Sequence, residues 1–192
     1  MAERDNICNH IHLPLQAGNN RILKMMNRTY TKEKFCDLVE YIRSLIPDIV
    51  ITTDIIIGFP TETESEYLDT LDVVKQVRFD SAFIFKYSPR AHTKAAENYP
   101  DDVSEQEKKR RIIEINEIQR EISFQKNKNH IDEIQEIIVS QKGTKKDKNK
   151  YQGRNEGNKL VIFPAANCEV GDYVKVKITS ATTNILKGVI ET

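Results

Sequence analysis

The 192-residue sequence predicts an α/β half-barrel followed by a small closed β-barrel. Three observations carry this. Through residue 126, apolar runs suited to buried parallel strands alternate with amphipathic helical stretches, which is the mark of βα units. From residue 127 to 192 the pattern becomes short strands between turn-rich segments, as in a small barrel. Finally, the first predicted strand has only about nine residues before it, so its outer edge has no partner strand within the α/β part. We therefore divide the chain into residues 1–126, βα units with a long linking helix, and 127–192, the β-barrel.

Taken in order, HIHLPLQ (10–16) reads as a short strand, and NRILKMMN (20–27) as a helix. TKEKFCDLVEYIRSLI (31–46) is a second helix: Phe35, Leu38, Val39, Ile42 and Ile46 recur at helical spacing, Thr31 is a candidate N-cap, and Pro47 follows the end. IVITTDIIIGF (49–59) is β-branched and nearly continuous in apolar character, which predicts a parallel strand buried on both faces. A helix over 63–77 opens with acids in its first turn, and SAFIFKY (81–87) is a third strand. The helix over 104–125 begins with a Ser104–Glu107 capping box and carries a stripe of Ile112, Ile115, Ile118 or Gln119, and Ile122. The barrel strands are expected at 133–141, 159–163, 172–182 and 185–191.

Lys and Arg number 29 and Asp and Glu 29, so no global field attracts nucleic acid and any such argument must be local. With no apolar run of membrane length and no signal-peptide pattern at MAERDNICNH, we expect a cytoplasmic protein with no membrane contact. Cys8, Cys36 and Cys168 lack metal-ligand spacing and read as buried or idle thiols. His10 and His12 share a strand face; three ligands from one strand would be an unusual metal site, so they read as strand residues.

Polar residues at strand ends are the candidate site, because ligands of βα barrels bind there. Gln16 ends the first strand. Asp54 sits within the second, where a carboxylate among apolar residues costs several kcal/mol unless paired. Arg28 could pair with Asp54 while Gln16 caps a loop, or all three could meet a ligand. Gly58 permits close approach of backbone to a ligand. Glu62 either caps the next helix or braces the Gly58 loop. Tyr87 and Arg90 end the third strand at the same rim, where Arg90 meets substrate or an internal acid. Between 142 and 159, seven cations and two acids give a local charge of +5 around Tyr151, which suits phosphate attraction and base stacking, or else a solvated loop.

HLPLQ, MNRTYT, TTDIIIGFP and YSPR, with Gly153-Arg154 and Asn158-Lys159 ahead of VIF, resemble methylthiotransferases of the radical S-adenosylmethionine class, and in particular the MiaB family of tRNA methylthiotransferases. The likeness covers roughly residues 8–190. It implies the second half of a partial, TIM-like radical S-adenosylmethionine barrel followed by an OB-like TRAM barrel. It implies that Gln16 and Asp54 hold the cofactor's ribose hydroxyls and Arg28 its carboxylate, with Gly58 and Glu62 in the loop beneath the adenine. Tyr87 and Arg90 would face substrate, and Lys145, Lys146, Tyr151, Arg154 and Lys159 would meet tRNA.

The implied reaction adds a methylthio group to C2 of an isopentenylated adenosine beside the anticodon. S-adenosylmethionine and two 4Fe–4S clusters would serve the parent protein. The family's CxxxCxxC loop and three-cysteine domain are absent here, so we expect a carboxyl-terminal fragment that binds no cluster and is inactive alone. Such a chain should self-associate through its open sheet edge. Other branches remain open, acting on a ribosomal protein or threonylcarbamoyl-adenosine, as does a non-catalytic RNA-binding module. Thr61 stands where the family has Gly, which puts in doubt any need for an unusual backbone angle there. His92 likewise departs from the family's Gly-Thr after YSPR.

Overall fold

A computed structural model describes residues 1–4, 6–144 and 147–191. The chain divides into two compact units, one of residues 11–120 and one of 1–10 with 121–192.

The first unit contains a parallel sheet in the order β1 (His10–His12), β2 (Val50–Ile57), β3 (Ser81–Lys86). Strand β1 is shorter than the sequence predicts because Pro14 has no N–H for the ladder. Contact with β2 continues on both sides of it: Leu13 N–H donates to Thr52 O before the proline, and Gln16 forms a parallel bridge with Ile55 after it. Strand β2 also departs from expectation. Val50, Ile51, Thr53, Ile55 and Ile57 are buried, but Thr52, Asp54 and Ile56 on the opposite face are only partly so. Alternation of this kind belongs to a sheet covered on one face. Phe83 and Phe85 of β3, at 55% and 54% exposure, continue that open face.

The helices are α1 (Asn20–Met25), α2 (Lys32–Leu45), α3 (Glu64–Val77), α4 (Lys94–Asn98) and α5 (Glu105–Lys128). Thr31 caps α2 as predicted, accepting from Lys34 N–H. A reciprocal capping box opens α3, between Thr63 and Glu66. At α5 only half of the expected box forms: Ser104 Oγ accepts from Glu107 N–H, while the Glu107 carboxylate turns to Arg110 and Arg111. The buried stripe of α5 is Lys108, Arg111, Ile115, Gln119 and Ile122 rather than the isoleucine stripe, because Asp101, the buried Glu62 and the Phe79 carbonyl take up its polar members.

The second unit contains a closed barrel of β4 (Ile134–Gln141), β5 (Lys150–Arg154), β6 (Leu160–Pro164), β7 (Tyr173–Ala181) and β8 (Ile185–Ile190), ordered β4-β5-β6-β8-β7. Strand β5 lies in the stretch expected to be turns; only Tyr151 there is a strong strand former, and pairing with both β4 and β6 supplies the rest. Ile137, Val139, Val161, Phe163, Val176, Ile178 and Leu186 fill the interior. Gly153 and Gly188 are dictated by close approach: a Cβ at either would collide with the carbonyl of the neighbouring strand, at Ile138 and Lys177.

Candidate functional site

Gln16 leaves β1 through a left-handed backbone, φ 67°, and is 7% exposed. Its N–H donates to Asp54 O at 2.8 Å and its carbonyl accepts from Ile56 N–H at 2.9 Å, so the end of the first strand is laced to the middle of the second. Its side-chain amide makes no hydrogen bond among the described residues, so it does not cap the loop. Asn19 does that work, accepting from the N–H groups of Arg21 and Ile22 to start α1. Ala17, Ile22 and Leu23 bury behind the turn with Phe59 and Tyr87.

Asp54 lies on the open face. Its carboxylate Oδ2 is 3.3 Å from His12 Nε2, and His12 Nδ1 is 3.0 Å from Thr52 Oγ1. The internal pair open in the sequence, Asp54 with Arg28, is therefore not formed. Arg28 is exposed and has no acid partner among the described residues. It adjoins Tyr30, whose phenol is pushed up by burial and drawn back by the Arg28 charge. The Tyr30 hydroxyl donates to the carbonyls of Pro14 and Leu15, which ties the Arg28 segment to the approach to Gln16. The sequence argument missed His12 and Tyr30 as members of this surface; the His12-Leu13-Pro14 stretch and the Tyr two residues after Arg28 were the available signals.

The loop after β2 is braced from within. Gly58 has φ 73°, and a Cβ there would collide with the Lys108 side chain, so the absence of a side chain also serves packing. Glu62 does not cap α3, because Thr63 holds that position. The Glu62 carboxylate is buried, accepts from Gly58 N–H at 2.7 Å and pairs with Arg111 at 3.0 Å. Burial raises its pKa, against the lowering pull of Gly58 and Arg111. Thr61 takes φ 65° although it is β-branched, a conformation that costs energy. It is held there by Arg21, which donates to Thr61 O at 2.8 Å and Thr61 Oγ1 at 3.0 Å, and by Asp102, which accepts from Thr61 N–H. Arg21 in turn forks onto Glu66 at 2.5 and 2.7 Å and holds that carboxyl down at about 2.

Tyr87, expected to face substrate, is instead in the core. It is 9% exposed, meets Phe59 edge-on with centroids 5.2 Å apart, and lies beneath the Lys108 ammonium. Lys108 is itself fully buried and paired with Asp101. Arg90 is exposed, and its carbonyl starts the turn into α4 by accepting from Thr93.

In the barrel, Tyr151 packs on Phe163 and carries the Lys142 ammonium 5.8 Å over its ring. Lys142 also pairs with Glu169 at 2.5 Å. Arg154 stays exposed while donating from Nη1 to Asn158 O, and Lys159 donates to Asn127 Oδ1, which turns that ammonium inward. Lys145 and Lys146 lie outside the described residues. The three cysteines sit apart, exposed at Cys8 and buried at Cys168, and no three His, Cys, Asp or Glu side chains converge to hold a metal ion among the described residues. None of the described helices is long and apolar enough to cross a membrane.

Residues 1–74 match the Radical SAM superfamily and residues 131–190 the TRAM domain. The tRNA-2-methylthio-N(6)-dimethylallyladenosine synthase of Carboxydothermus hydrogenoformans is 50% identical over 99% of the chain, which covers 43% of that protein. The proteins of the same name from Pelotomaculum thermopropionicum and Flavobacterium johnsoniae are 46% and 42% identical, over 99% and 98% of the chain. The chain thus spans about two fifths of the length of these relatives. Among solved structures, coproporphyrinogen III oxidase (HemN) from Escherichia coli, a radical SAM enzyme, aligns with a TM-score of 0.52 at 14% identity, over 77% of this chain and 41% of that one. That likeness concerns the fold alone. The chain thus joins a Radical SAM superfamily segment to a TRAM domain and, along nearly its whole length, resembles the MiaB family of tRNA methylthiotransferases.

Proposed function

We propose that the chain is part of a radical S-adenosylmethionine methylthiotransferase that modifies C2 of isopentenyl-adenosine next to the tRNA anticodon. One observation carries the site: the Gln16 amide past the end of β1, the Arg28 guanidinium between α1 and α2 and the Asp54 Oδ1 atom within β2 have no protein hydrogen-bond partner among the described residues, although Gln16 is nearly buried. Their donor and acceptor chemistry fits a nucleoside-bearing amino acid. The amide and carboxylate accept from ribose hydroxyls, and the guanidinium forks onto a carboxylate.

When bound in the parent protein, S-adenosylmethionine and two 4Fe–4S clusters supply the radical and sulfur chemistry. This chain contributes binding and orientation. Glu62 and Arg21 brace the rim loop from behind, and the barrel offers exposed Arg154 and the edge of Tyr151 to RNA. We read the chain as inactive alone, and as able to self-associate through the outer edge of its three-stranded sheet, which light scattering would register as a concentration-dependent mass.

Deleting the gene that encodes this chain tests the function. Mass spectrometry of tRNA nucleosides should show the 2-methylthio form replaced by plain isopentenyl-adenosine. Unchanged 2-methylthio-isopentenyl-adenosine, with loss of a modification on threonylcarbamoyl-adenosine or a ribosomal protein, would assign the chain to another branch.

A further inference from the structure

The imidazole of His12 has no role in the reading above, yet it is held on three sides. Its Nδ1 is 3.0 Å from Thr52 Oγ1, its Nε2 is 3.3 Å from Asp54 Oδ2, and its ring meets Phe83 edge-on at 6.2 Å. Thr52 and Asp54 stand two apart on β2 and so share a face, and His12 bridges them from the adjacent strand. The ionised carboxylate can only accept, so Nε2 carries a proton. In that tautomer, Nδ1 can accept from the Thr52 hydroxyl. Left alone, a carboxylate that is 32% exposed would turn between rotamers. Anchored at Oδ2, it presents Oδ1 in one direction.

We propose that His12 is a positioning residue that fixes the Asp54 carboxylate as acceptor for a hydroxyl of a vicinal ribose diol. The proposal rests on the reading of Asp54 as a ribose contact. It implies that discrimination between ribose and deoxyribose depends on a side chain that need not touch the sugar.

Calorimetry on the 192-residue chain, with S-adenosylhomocysteine and its 2′,3′-dideoxy counterpart as probes, tests it. Replacing His12→Phe should weaken the ribose probe about tenfold and leave the dideoxy probe unchanged. His12→Gln, which can still donate to Asp54, should keep most of the discrimination. A purely structural role would weaken both probes equally, and that outcome overturns the proposal. If Asp54→Asn abolishes discrimination but His12→Phe does not, the proposal fails and the reading of Asp54 stands. If Asp54→Asn changes nothing, or the native chain binds neither probe saturably, the underlying reading fails and the proposal with it. Should the His12→Phe chain not fold, nitrogen-15 spectra of the native imidazole decide: a fixed Nε2–H tautomer supports the proposal, and an averaging mixture of tautomers overturns it.

Discussion

Two phenylalanines mark the contrast between the units. Phe163, in the barrel, is 1% exposed; Phe83, in the parallel sheet, is 55% exposed. Both lie in strands, but the barrel closes on itself and buries every inward side chain, whereas the three-stranded sheet is covered on one face only. A closed sheet spends its apolar residues on stability. An open face can instead keep polar groups poised, and there the His12 imidazole and the Asp54 carboxylate meet. Structure and candidate chemistry are thus segregated between the two sheets.

That contrast can be broken by substitution. The largest effect is expected for Phe163→Ala, which should destabilise the barrel by about 3–5 kcal/mol, read from the calorimetric transition. A much smaller loss would mean that the barrel interior is loosely packed.

Next comes the buried acid that ties α1 to α3. Glu66 is held at about 2, far below its ordinary 4.5, first by its hydrogen bond from Arg21. Because the folded-state pKa is depressed, the stabilisation is complete above about pH 4.5 and is lost as pH falls toward 2. Glu66→Gln should remove about 2–3 kcal/mol at neutral pH and flatten the acid limb of the denaturant midpoint. An unchanged limb would mean that other carboxylates govern acid unfolding.

Thr61→Gly should act in the opposite direction. Relief of the left-handed backbone at φ 65° is worth about 1–2 kcal/mol, and the lost bond from Arg21 to Thr61 Oγ1 returns part of it, so a net gain of about 1 kcal/mol is expected in chemical denaturation. The smallest effect is expected for Phe83→Ala, within about 0.5 kcal/mol, because its ring is largely solvated. A large loss there would show that the open face is covered in solution.

Much of this was legible in the sequence. The β-branched run before Gly58 and the isoleucine-rich stretch after Ser104 located β2 and α5 closely, and the change at residue 127 announced the barrel. Local periodicity could not reveal β5, because Lys150–Arg154 is held in place by long-range pairing. Nor could it reveal that Lys108 and Arg111 lie on the buried side of α5, since their partners Asp101 and Glu62 are set by tertiary contacts. At the candidate site, Gln16, Arg28 and Asp54 were singled out by the family resemblance, since residue types alone also allowed an internal pair, and Tyr87 at the end of its strand gave no sign of turning inward. The backbone of this loop was less legible: Gly58 also accommodates a lysine stem, and Thr61 shows the left-handed turn surviving without glycine.

The central claim is that the strand ends of the open sheet, rather than the barrel, hold the nucleoside. Titrating the nitrogen-15-labelled chain with S-adenosylmethionine tests it most directly. Saturable shifts at the amides of His12, Gln16, Arg28 and Asp54, with residues 131–190 undisturbed, are the expected result. Shifts confined to residues 131–190, or none at any concentration, would contradict it.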